Sequence, residues 1–164
     1  MSVDYFLKID GIPGESPDAK HGAEIELRSW SWGECQPGIG ARSTGGQGAG
    51  RVNMRPFVFT SETNKSSVKL LLSCAQGAHI DVVTLTCRKA GGEQQEFLMI
   101  TLNDVIVSDY NVCSTHNEDG VSIPIDEVSL VYGKIQVEYR PQKYDGSLDN
   151  PIKGGYNLEA NTSI

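Results

Sequence analysis

A mainly β fold, an antiparallel β-barrel of two packed sheets with one short flanking α-helix, is what this sequence predicts, on three observations. Short segments with period-two alternation recur along the chain, separated by Gly and Pro turns. Only one stretch, at about 65–76, carries a helical period instead. So many strands would leave many exposed edges, and closure into a barrel removes them. The 164 residues suit one domain, 1–164, with no internal repeat.

The first strand is Val3–Asp10, where Val3, Tyr5, Leu7 and Ile9 alternate with Asp4, Phe6, Lys8 and Asp10 until Gly11-Ile12-Pro13-Gly14 turns the chain. Ile25–Gly33 is the second. Trp30 and Trp32 share one of its faces, as large apolar groups for the core or a subunit seam, and Ser29 and Ser31 point the other way. Pro37–Gly50 follows, with Gly38, Gly40, Gly45, Gly46, Gly48 and Gly50 among small polar residues and Arg42; too poor in large apolar groups to fold alone, it reads as a long flexible loop. Val52–Thr60 alternates again, but Pro56 cannot donate to a ladder and marks an edge or bulge.

In the helix, Val68, Leu71, Leu72 and Ala75 form a single apolar stripe. Asn64 or Ser66 is placed to cap its start and Gly77 to end it in the left-handed conformation. Ile80–Lys89 and Phe97–Ser108 read as a hairpin through Gly91-Gly92, Ser122–Tyr132 and Lys134–Arg140 as strands around Gly133, and Tyr156–Leu158 as one more.

Several functions are excluded by what the chain lacks. A net charge of −7 disfavours sequence-independent nucleic-acid binding, and no apolar run reaches the roughly 20 residues that span a bilayer. The N-terminus lacks the basic start and apolar core of a secretory signal, so synthesis and folding in the cytoplasm are expected, with any export reading the folded product. Cys35, Cys74, Cys87 and Cys113 have no CxxC spacing and read as reduced structural thiols, Cys74 and Cys87 as buried ones. The glycine-rich segment holds no lysine and leads into a strand, which a phosphate-binding loop does not do. His21, His79 and His116 lie apart and read as surface loop histidines, with no metal site and no cofactor implied. No GxSxG elbow and no carboxylate pair on one strand face supports an enzyme.

Charge is segregated instead. Gln36–Ser61 contains Arg42, Arg51 and Arg55 with no Asp or Glu, a local +3, whereas Ala90–Gly133 contains eight carboxylates with no Lys or Arg. In a self-assembling protein, a basic loop and an acidic surface elsewhere suit a head-to-tail contact.

Val3-Asp4-Tyr5-Phe6-Leu7-Lys8-Ile9, Gly14-Glu15-Ser16, His21, Ile25-Glu26-Leu27-Arg28-Ser29-Trp30-Ser31-Trp32-Gly33, Arg88-Lys89-Ala90-Gly91-Gly92-Glu93, Phe97-Leu98-Met99-Ile100-Thr101-Leu102 and Val137-Glu138-Tyr139-Arg140-Pro141-Gln142-Lys143 recur in order over nearly the whole chain. Together they resemble the haemolysin-coregulated protein (Hcp) family, the tube subunit of type VI secretion systems. The resemblance implies a barrel with one flanking helix that assembles as hexameric rings stacked into a tube, surrounded by a contractile sheath and capped by a valine–glycine repeat spike protein. It further implies secretion by that system and small effector proteins carried in the lumen, with Ser31 resembling a lumen-facing position. The loop bearing Gly38, Gly40, Arg42, Gly45, Gly46, Gly48, Gly50 and Arg51 corresponds to a ring-stacking contact. Two stretches depart from the family: Tyr110–Ser122 shows none of its pattern, and Gly155-Tyr156-Asn157 stands where relatives commonly carry tryptophan. A contractile-phage tail-tube protein is the neighbouring alternative, and a β-sandwich enzyme or sugar-binding module the distant one.

Overall fold

The first strand, β1 (Val3–Ile9), buries Leu7 and Ile9 as its alternation requires, but Phe6 on the opposite face is buried as well. The structure, a computed structural model, describes residues 2–37, 51–91, 94–116 and 122–164. Where one strand was expected over Ile25–Gly33 there are two, β2 (Ile25–Glu26) and β3 (Ser29–Ser31). β4 (Glu34–Cys35) and β5 (Asn53–Met54) pair as a separate two-stranded sheet. Where one strand with an edge or bulge at Pro56 was expected over Val52–Thr60, the chain forms two, β5 and β6 (Phe57–Glu62), with Pro56, which has no N–H to donate, between them.

The helix α1 (Ser66–Gln76) ends at Gly77, whose φ of 59° is the left-handed close. Asn64 starts it from one residue outside: its Oδ1 accepts from the Ser66 N–H at 2.9 Å, and Ser67 Oγ accepts from the Asn64 N–H at 2.9 Å. The expected apolar stripe, however, faces outward. Val68, Leu71 and Leu72 are 67%, 48% and 46% exposed, while Ser66, Ser67 and Leu70 are buried. The helix is turned this way by Asp126, fully buried, which accepts from the Ser67 hydroxyl and from Thr63 Oγ1 at 2.8 Å.

After β7 (His79–Lys89), the chain builds the 21-residue β8 (Glu96–His116), which runs well beyond the Ser108 end expected for it. β9 (Ser122–Val131), β10 (Lys134–Tyr139), β11 (Ile152–Asn157) and β12 (Thr162–Ser163) complete the fold. The first part of β8 lies between β7 and β10, and its second part, from Ile106, pairs with β9. Between the parts sits Asp104 at φ 55°, and the Gly133 N–H is shared between the Asn103 and Asp104 carbonyls at 3.0 and 3.1 Å. One bent strand therefore belongs to both layers.

This corrects the expected barrel of two packed sheets. The main ladder is one ten-stranded antiparallel sheet, β12-β11-β10-β8-β7-β1-β2, branching from β8 through β9 and β6 to β3, and it does not close. Its ends, β2 and β3, do not pair with each other. They follow one another in the chain, and at the step between them Leu27 N–H turns to the Tyr5 carbonyl (2.9 Å) and Arg28 N–H to the Thr60 carbonyl (2.8 Å). Folded over at β8, the sheet encloses Leu7, Ile25, Phe57, Phe59, Leu85, Leu102 and Leu130, all essentially inaccessible to solvent. Among the described residues no helix is long and apolar enough to cross a membrane.

Candidate functional site

The branch formed by β3, β6, β9 and the second part of β8 has one face on the core and one on solvent. Register fixes which residues share the open face, because directly paired residues project to the same side. One cross-strand row is Ser31, Val58, Ser129 and Asp109; the next is Ser29, Thr60, Glu127 and Asn111. The rows are about 7 Å apart, two strand residues. Val58, Thr60 and Ser129 are half-buried and the other five are exposed. Ser29 and Thr60 hydroxyls meet at 2.6 Å, Ser108 Oγ donates to the Ser129 carbonyl at 3.1 Å, and Asn111 Nδ2 donates to Asp109 Oδ2 at 2.8 Å. The side chains of these two rows are mostly small and polar.

Its electrostatics are one-sided. β3, β6, β9 and the second part of β8 contain no Lys or Arg. The Arg28 guanidinium, at the end of the wall, is paired with Glu62. Behind the wall Tyr110 lies near Asp126, and burial, then that carboxylate, push its phenol above the ordinary range.

Trp30 and Trp32 lie elsewhere. Trp30 is half-buried on the core side, stacked on Phe57 with ring centres 6.1 Å apart and edge-on to Tyr5 at 6.3 Å. Trp32 Nε1 donates to the Tyr132 hydroxyl, which donates to the Arg55 carbonyl at 3.0 Å. Arg51 is exposed and donates to the Leu158 carbonyl. Gly38, Gly40, Arg42, Gly45, Gly46, Gly48 and Gly50 lie outside the described residues. The four cysteines are unpaired. Cys87 is buried, and burial pushes its thiol up to about 12, but Cys74 is only half-buried and Cys35 and Cys113 are exposed.

Sequence reasoning missed most of the wall and a clasp on the opposite side of the molecule. Thr60, Glu127, Ser129, Asp109 and Asn111 were legible in part from the alternation of β6 and β9; the bulge at Ser108 hides the rest. The clasp had no local signal. Arg88, 2% exposed, grips Asp18 through both carboxylate oxygens at 2.7 and 3.0 Å and reaches Asp4 at 3.3 Å. Its guanidinium lies 4.7 Å over the Phe6 ring, and His21 stacks on the same residue at 4.3 Å. His21 is thus buried rather than a surface loop residue, held by Glu24 at 2.9 Å and Glu96 at 3.4 Å. The Arg88 guanidinium, together with the Lys20 and His21 N–H groups, holds the Asp18 carboxyl well below the usual range.

With this geometry in hand, the chain matches, over residues 6–139, the family described as "Type VI secretion system effector, Hcp". It is 42% identical over 163 residues to Protein hcp1 of Pseudomonas aeruginosa, covering 98% of each chain. A solved type six secretion system protein superposes with a TM-score of 0.90 at 27% identity, over 99% of this chain and 100% of that one. Hcp1 of Salmonella typhimurium superposes with a TM-score of 0.77 at 34% identity over the full length of both.

Proposed function

Because this chain belongs to the Hcp family of type VI secretion proteins, secreted structural proteins rather than enzymes, we propose that it is the tube subunit itself. In this reading the domain 1–164 is made in the cytoplasm, closes into hexameric rings that stack head to tail, and leaves through the type VI machine. The polar wall lines the lumen, with Ser29 and Ser31 towards small effector proteins. A contractile sheath surrounds the tube and a valine–glycine repeat spike protein caps it.

The observation that carries this is a wall left open at both sides. Among the described residues β3 pairs only with β6, and β8 beyond Ile106 pairs only with β9. Unpaired edges of this kind are templates for another chain. Two different edges on one molecule make a heterologous contact, which closes into a ring when the rotation fits. The outward stripe of α1 supports the same reading: three large aliphatic side chains still 46–67% exposed beside β8 gain about 1 kcal/mol or a little more each once a neighbour covers the rest.

The test is sedimentation velocity with negative-stain imaging: uniform rings are expected, and free monomer at every concentration and salt level sinks the proposal. Leu71→Glu with Leu72→Glu should leave the monomer's melting within the ±0.5 kcal/mol of ordinary surface changes, yet abolish rings.

Stacking is assigned to charge. β3 leads through β4 into the segment carrying +3, whereas β6 ends at Glu62 about 17 Å away along the strand. Head-to-tail contact would bring the Arg42/Arg51 loop onto carboxylates at that far end of the next ring. Arg42→Glu with Arg51→Glu should leave rings intact and remove tubes. Since Arg51 also ties the chain to Leu158, Arg42→Glu alone separates charge from tether.

A further inference from the structure

We propose that the open face of the β3–β6–β9–β8 wall receives a basic protein surface, so that this tube selects small cationic cargo by charge. This rests on the ring reading above, which turns the face inward, and names the class of partner it takes.

The composition of the face points there. Of the eight residues in its two rows, five are hydroxyl- or amide-bearing, two are carboxylates and the remaining one is a half-buried valine. These two rows themselves offer little apolar surface, the exposed aliphatics Val131 and Ile106 forming the next row on the same face, so what the two rows present is charge and hydrogen bonding. The carboxylates decide the sign. Glu127 and Asp109 lie one row apart on paired strands, diagonal neighbours about 7–8 Å from each other. Asp109 accepts a hydrogen bond from the Asn111 amide, and among the described residues no cation is paired with either carboxylate. Several carboxylates elsewhere do have cations: Asp18 and Asp4 share Arg88, Glu62 takes Arg28, Glu138 takes Arg140 and Lys153, and Asp149 takes Lys143. The wall holds negative charge uncompensated and supplies hydroxyls around it as donors and acceptors. A lysine- or arginine-rich surface complements that in charge and hydrogen bonding; an acidic one is repelled.

Repetition supplies the strength. One such pair binds weakly in water, but every copy in a ring presents the same pair, so a cargo touching several walls gains through multivalency. The binding must weaken with salt, since the screening length is about 10 Å at 0.1 M.

The experiment uses assembled full-length protein with cytochrome c as a basic probe and succinylated cytochrome c, the same fold with its lysine charges reversed, as control. Retention is read by haem absorbance after co-sedimentation, and assembly by light scattering on the same samples. Native cytochrome c should be retained at low salt and released as salt rises, and the succinylated form excluded. Asp109→Asn with Glu127→Gln, isosteric and on the surface, should assemble normally and lose retention at least about ten-fold. Asp10→Asn with Glu159→Gln, which removes exposed carboxylates outside the wall, should retain as wild type does. Equal retention by the wall variant, equal uptake of the succinylated probe, loss only in the Asp10/Glu159 variant, or no retention by wild-type rings each overturns this inference while leaving the ring standing. A wild-type protein that never assembles overturns the ring, and this inference with it.

Discussion

The two sides of the folded sheet treat the same problem, polar side chains on a β surface, in opposite ways. On the β1–β7 side the loop between β1 and β2 lies over the strands, and its Asp18 and His21 enclose Phe6 and Arg88 until both are almost inaccessible. On the β3–β6–β9–β8 side no described residue forms a comparable cover, and Asp109 and Glu127 are exposed. Asp4 and Asp18 have Arg88 on the covered side, whereas among the described residues Asp109 and Glu127 have no cation on the open one. The difference separates a surface that stabilises the subunit from one available to something else. Substitutions on the two sides should therefore move different observables.

The largest effect belongs to the clasp. Arg88→Ala strips Asp18, in the covering loop, of its partner and removes the buried cation over Phe6. The expected result is a fall of several degrees in Tm, the largest among these variants. A calorimetric shift of under a degree or two would mean that the clasp is ornamental and the contrast between the two sides empty. Phe6 adds to the case, because its ring contacts both the guanidinium and the His21 ring.

That clasp marks where the sequence stops being informative. Asp18 and Arg88 are 70 positions apart, and no pattern near either says that they meet. The alternation of β1 correctly predicts Leu7 and Ile9 inside but makes Phe6 a surface residue, since the covering loop is non-local. By contrast Pro56 and Gly77 each act through their own backbone: the helix ends at Gly77 as expected, and the irregularity expected at Pro56 is there, as a full break between two strands. The periodicity of α1 is equally local: it establishes that Val68, Leu71 and Leu72 share a stripe. Which way the stripe faces depends on Asp126, nearly sixty residues on, binding Ser67. The wall lies between these cases. Ser29 and Ser31 are legible because β3 alternates cleanly, but the extra residue at Ser108 shifts the parity of β8 and hides Asp109 and Asn111 from any period-two reading.

A smaller effect comes through pH. The Asp18 carboxyl is held below its ordinary range, first by its hydrogen bonds to Arg88 and then by the Lys20 N–H. A depressed folded-state value means that the native state holds on to the ionised form more tightly than the unfolded chain does. The stabilisation is therefore complete above the unfolded value of about 4 and lost as pH falls below it. Melting temperature should slope downward on acidification from about pH 4 to pH 2, and Asp18→Asn should lower the plateau and flatten that slope. An unchanged slope in Asp18→Asn would place the acid sensitivity outside the clasp, Glu138 being the next candidate because Lys153 and Arg140 hold it down in the same way.

The smallest effect on the monomer belongs to the wall. Ser29→Ala removes a hydroxyl pair with Thr60, but both groups are accessible to water, so the lost contact is largely replaced by solvent and the cost stays within about 0.5 kcal/mol. Ser31→Ala, with no partner hydroxyl opposite it but Val58, should cost no more. Chemical denaturation of both variants beside Arg88→Ala is the direct comparison: near-superimposable curves for the serines and an early transition for the arginine are expected. If Ser29→Ala instead destabilised the monomer by more than about 2 kcal/mol, the wall would be part of what holds the subunit together. Its bareness would then be no evidence that it serves a partner.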